Sequence, residues 1–190
     1  GLAPGHLGRG GVMLLASYKS TRPGLQGLAN RAIRWRLAGS YSHTELVFEQ
    51  GDPVGELMPD STTAPDADGA LWCASSVAAE RLPSYSPRRA GRSGGVRFKR
   101  IALDASRWDL VRVQRDPIDV IRAAAWFEEH QGEPYDWQLI AGHVAWIIPG
   151  KDGRWACSEA TAAALGVPES EAWRVDPCNG HVLLPSYRRA

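Results

Sequence analysis

The hydrophobic period of this chain changes at Asp116, and that change sets the class of fold it can adopt. Before it, short apolar runs and stretches of period-two alternation mark strands, whose successive side chains face opposite ways. Val12–Ser17, Ser42–Glu49, Ala70–Val77, Val96–Leu103 and Trp108–Gln114 read as strands. In the second of these, His43, Glu45, Val47 and Glu49 share one face and Thr44, Leu46 and Phe48 the other. Gln50–Gly69 and Pro83–Gly95 carry the Gly, Pro and Ser content of loops, the latter with Arg88, Arg89 and Arg92. One amphipathic helix, Gly24–Gly39, interrupts the strands. Leu25, Leu28, Ala32 and Trp35 recur along it at helical spacing, while Arg31, Arg34 and Arg36 fall off that stripe. The arginines read first as a solvated face, with a phosphate or lipid-surface patch as the alternative.

After the change, helical signals dominate. Asp116 is an N-cap followed by Pro117 at the first helical position, and Gly132 stands where that helix should stop. Asp136–Ile148 and Ala156–Leu165 read as two further helices, ended by Pro149-Gly150 and by Gly166; Pro177–His181 reads as a turn. Strands followed by helices predict an α+β domain, an antiparallel sheet of four to six strands packed with helices. We expect one domain over residues 13–190, preceded by a Gly-rich extension or tag remnant at residues 1–12.

A chain of 190 residues that is 44% hydrophobic can bury a core without staples. A net charge of +1 gives no electrostatic commitment to nucleic acid, and none is expected as a partner. The apolar run Leu139–Pro149 is interrupted by Gly142 and His143 and is too short to span a bilayer. Gly1–Val12 has no apolar core of signal-peptide length, so the expected location is cytoplasmic. The three cysteines, Cys73, Cys157 and Cys178, are too few and too scattered for a disulfide framework, and no CxxC pair suggests zinc.

One of those thiols stands where chemistry favours it. Cys157 opens an Ala-rich helix, and the amides of a first helical turn carry partial positive charge that stabilises a thiolate and can hold an oxyanion. A small buried residue capping the helix is the alternative. Cys73 lies in mid-strand, where packing explains it, and Cys178 lies in the expected turn. A cysteine nucleophile needs a base. His6, His130, His143 and His181 fall in the N-terminal extension, on helices and near the C-terminus, whereas His43 opens a strand after the Ser40-Tyr41-Ser42 turn. A strand-end histidine facing a helix-start cysteine is the arrangement a thiolate–imidazolium pair requires.

Gly132-Glu133-Pro134-Tyr135-Asp136-Trp137, then a helix, then Cys157-Ser158, resembles the nucleophile region of NlpC-type papain-like cysteine peptidases. The strand Ser42-His43-Thr44-Glu45-Leu46-Val47 precedes the cysteine rather than following it, and Gly94-Gly95-Val96-Arg97-Phe98-Lys99-Arg100-Ile101 forms a second signature. That order is similar to the circularly permuted YiiX/YebB-like branch, in particular a phage or prophage group, over about residues 13–175. The resemblance implies a permuted papain-like fold, a phage-associated location as an alternative to the cytoplasm, Cys157 as nucleophile, His43 as base and Tyr135 as a hydrogen-bond donor at the site. It also implies a third polar residue on the strand paired with the His43 strand. Hairpin register brings Ser75 close to His43; Glu45, on the His43 face, and Glu56, if the loop supplies the second strand, are the carboxylate alternatives. The expected function is a cysteine hydrolase cleaving an amide or ester in a peptide or lipid substrate, with no metal or organic cofactor. The alternatives are a papain-like binding or structural phage protein without turnover, and a lipid acyltransferase or thiol esterase.

Overall fold

The five expected strand segments form five strands: β1 (Val12–Tyr18), β2 (His43–Phe48), β3 (Leu71–Arg81), β4 (Ser93–Ile101) and β5 (Trp108–Gln114). They make one antiparallel sheet in the order β4-β3-β2-β1-β5, with β2 at its centre. The computed structural model describes residues 12–21, 24–137 and 153–188. Its helices are α1 (Gly24–Leu37), α2 (Pro117–Glu129), α3 (Cys157–Ala164), α4 (Glu169–Ala172) and α5 (Pro177–Leu183). The chain is therefore α+β, a five-stranded antiparallel sheet packed with helices. Among the described residues, no helix is long and apolar enough to cross a membrane.

The two faces of the sheet differ in kind. On one, Met13, Leu15, Leu46, Phe48, Ala74 and Phe98 pack against Val120, Ala123, Ala124 and Phe127 of α2 and the alanines of α3. Each large apolar side chain buried there contributes roughly 1.5–3 kcal/mol relative to exposure. Every residue of α3 is buried, and small side chains let it approach β2 and β3 closely. The other face carries Leu14, Ala16, Val47, Cys73 and Trp108 and, among them, the fully buried Glu45 and Arg97.

Several elements depart from the sequence reading. β3 runs past its expected end at Val77 to Arg81, β4 begins at Ser93 inside the expected Pro83–Gly95 loop, and their ladder shifts register between Val77 and Arg81. The expected turn at Pro177–His181 is the helix α5, because the Asp176 carboxylate accepts from the amides of Cys178 and Asn179 at 2.7 and 2.8 Å and Pro177 fills the first turn. The expected helix Asp136–Ile148 falls largely outside the described residues, as do residues 1–11 of the extension. In α1 the stripe does not face the core: Leu28 is 61% and Trp35 84% exposed.

A close backbone approach seats the segment that precedes the Cys157 helix. Val96 donates to Glu133 O and Gly132 donates to Val96 O, each over 2.9 Å. Gly95 sits at φ +142°, and a Cβ there would lie 2.4 Å from the Glu133 carbonyl oxygen. Only glycine accommodates that crossing. On its far side the same segment meets the start of α3, where Tyr135 pairs with Trp155 and Asp136 donates to Trp155 O.

Candidate active site

Cys157 is the first residue of α3 and is buried, 4% exposed. Helix α3 lies on β2, and His43, the first residue of that strand, stands beside the cysteine, where the imidazole and the thiol act on each other by charge and hydrogen bonding. The backbone amides of Thr44 and Ser158 also donate to the sulfur. Burial alone would push the Cys157 thiol up; the His43 charge and these hydrogen bonds outweigh it and bring the thiol below its ordinary value. Burial likewise opposes the charged imidazole, yet the Cys157 thiolate and the hydrogen bonds to Cys157 and Glu45 lift His43 to about 9. Both shifts run in the direction that favours a thiolate–imidazolium pair.

Behind the imidazole stands a carboxylate. His43 Nε2 donates to Glu45 Oε1 over 2.8 Å, which leaves Nδ1 to face the thiol. Two residues apart on a strand, the side chains share a face, so the pairing is local. Glu45 is itself clamped: Arg97 Nη1 and Nη2 donate to its two oxygens, each over 2.7 Å, in a bidentate pair. Burial would raise the Glu45 carboxyl, but the Arg97 charge, with the hydrogen bonds from His43 and Arg97, holds it down at about 2. Arg97 also reaches Glu80 over 3.4 Å, and Lys99 pairs with Glu80 nearer the surface. Charges of alternating sign thus run from the sulfur through His43, Glu45 and Arg97 to Glu80 and Lys99.

The other residues singled out in the sequence lie as follows. Ser75 is fully buried, but its hydroxyl donates to the Thr44 carbonyl over 2.6 Å and does not orient the imidazole; Glu45 holds that position. The physical reason is register. Leu46 pairs with Ala74, so the register sets Ser75 opposite Glu45, short of His43, and its hydroxyl reaches the Thr44 carbonyl. Glu56 lies on an exposed 3-10 turn, Gly55–Leu57. Tyr135 is buried, and burial, then the nearby Cys157, Asp136 and Glu159, hold its hydroxyl well above the ordinary phenol value. It therefore stays neutral, within reach of the Cys157 charge. The remaining thiols behave oppositely to Cys157, since burial pushes both Cys73 and Cys178 up.

Sequence reasoning missed three contributors. Arg97 alternates with Val96 and Phe98 as a strand residue should, and only the register of β3 and β4 turns it toward Glu45. The Thr44 amide carries no sequence signal. Glu159 does: it is the third residue of α3, where its carboxylate accepts from the Ala156 amide over 3.0 Å. Burial, with Asp136 and Glu169 nearby, raises it to about 7 against that amide. Among the described residues, no group of His, Cys, Asp or Glu is set to hold a metal ion. Comparisons of the chain with protein-family models, curated proteins and solved structures found no match.

Proposed function

We propose that the chain is a cysteine hydrolase acting on an amide or ester carbonyl, with Cys157 as nucleophile, His43 as base and Glu45 as the orienting acid. The observation that carries this reading is the Cys157–His43–Glu45 row, in which the thiol alone among the three cysteines is pushed down.

The thiolate attacks the substrate carbonyl carbon, and the carbonyl electron pair moves onto oxygen. Amides at the start of α3, whose dipole favours negative charge, and the neutral Tyr135 hydroxyl stabilise that oxyanion. Collapse breaks the bond to the amine or alcohol, which takes its proton from the His43 imidazolium. His43 then removes a proton from water, the hydroxide attacks the thioester, and the thiolate leaves as the acid forms. Glu45 keeps the imidazolium oriented and charged throughout.

Alkylation of the native protein by iodoacetamide across pH tests the nucleophile. Cys157 is expected to react with a midpoint below the value of about 8.5 typical of a free thiol. An ordinary midpoint at Cys157, or equal reactivity at Cys178, overturns the reading. Amide and ester libraries, with and without an added amine acceptor, then separate hydrolysis from acyl transfer, since both pass through the same thioester.

A further inference from the structure

We propose that helix α1 is a docking element for an anionic lipid surface. Its apolar stripe points away from the protein. At 3.6 residues per turn, Leu28, Ala32 and Trp35 stand within about 40° of one line along the helix. All three are exposed, Leu28 at 61% and Trp35 at 84%. The inward side carries the half-buried Ile33 and Leu37 and is fastened by polar contacts. Asn30 donates to Ser42 Oγ over 2.9 Å, and Arg34 donates to the carbonyls of Lys19 and Ser20 over 2.5 and 3.0 Å and to Thr21.

A helix of a soluble domain buries its apolar stripe and solvates its polar one. Helix α1 departs from this, presenting leucine and tryptophan outward while Asn30 and Arg34 fasten its inner side. The charge on its flanks selects the partner. Arg31 and Arg36 lie on either side of the stripe, and the fourteen residues of α1 include no Asp or Glu. Tryptophan rings favour the headgroup level of a bilayer, and arginine stems run along apolar surface while their heads reach phosphates. A helix of this length is about 21 Å long, so it lies in the interface and does not span it. Because Asn30 bonds Ser42, the residue before His43, a docked α1 holds the start of β2 near the lipid. The docking itself does not depend on the chemistry of Cys157.

The test is flotation of the full chain with vesicles of phosphatidylcholine alone or mixed in equal parts with phosphatidylglycerol. The wild type is expected to float with the mixed vesicles and not with the neutral ones. Leu28→Ser with Trp35→Ser should reduce that partition by about tenfold or more, and Arg31→Glu by several-fold, with added salt acting like the latter. Both sites are exposed, so the variants should keep the wild-type far-ultraviolet circular dichroism. Three outcomes overturn the proposal: no flotation of the wild type with anionic vesicles, equal flotation of the double variant, or a wild-type dimer that Trp35→Ser dissociates. The last would make the stripe an interface between copies of the chain.

Discussion

Among the described residues, two histidines meet a hydroxyl or a thiol, and only one of them has the makings of a nucleophilic pair. In the first, Cys157 meets His43, which is backed by Glu45 and Arg97. In the second, the Ser17 hydroxyl donates to His181 Nδ1 over 2.8 Å, and His181 Nε2 faces the Tyr41 hydroxyl at 3.4 Å. Tyr41 donates onward to Asp109 over 2.9 Å, so a hydroxyl separates this histidine from its carboxylate. The consequence is opposite in sign. His43 is lifted to about 9, whereas burial, only partly offset by Asp109, lowers His181. Ser17 is fully buried near the end of β1, and it does not open a helix as Cys157 does. A histidine contact becomes a proton acceptor only where a charge directly behind the ring rewards protonation.

The sharpest break between the two regions is expected from Cys157→Ala and Ser17→Ala. The first should remove hydrolysis by about a thousandfold or more, and the second should leave kcat/KM within about twofold. Comparable losses in a steady-state assay on any cleaved ester would erase the distinction. Next in size is Arg97→Met, which strands a buried carboxylate and should cost about 3–5 kcal/mol in denaturant unfolding. Its counterpart Lys19→Met, at the half-exposed Lys19–Asp109 pair, should cost about 0–1 kcal/mol. Glu45→Gln keeps the shape but removes the charge. We expect a loss of about a hundredfold in kcat, with the basic limb of the pH–rate profile moving down from about 9.

The smallest effect is on stability against pH. The folded-state pKa of His43, about 9, exceeds its unfolded value of 6.5, so its contribution is complete below 6.5 and is lost as pH rises through about 9. His181 is lowered instead, so its contribution is present above 6.5 and fades as pH falls through the folded value. Urea titrations of His181→Gln should lose the acid-side slope and keep the basic one. The reverse pattern would exchange the roles of the two histidines.

The sequence carried the strands well because the apolar run Val12–Ala16 and the alternation of Val96, Arg97, Phe98 and Lys99 are local signals. It also carried the Cys157–His43 pairing, through the helix start and the strand start. What it hid depends on relations between distant residues. Glu45 and Arg97 are 52 positions apart, and only strand register brings them together. Ser75 misses the imidazole for the same reason. The direction of the α1 stripe was invisible because spacing defines a stripe and not the side on which the protein lies. Helix α5 escaped despite an Asp176-Pro177 start like Asp116-Pro117, since Asn179-Gly180 imitates a turn.

The crossing of Gly95 under Glu133 has a consequence for reading variants of this chain. The obstacle to any side chain at 95 is a carbonyl of the main chain, which cannot swing aside as a flexible side chain would. A substitution there would displace the Gly132–Asp136 segment and, through the Tyr135–Trp155 pairing, disturb the mouth of α3. Such a variant would be scored as a loss of chemistry although it lies far along the sequence from the sulfur and touches no reacting atom. Inactive clones mapping to the start of β4 would then mark the foundation of the site and not a hidden participant in the reaction.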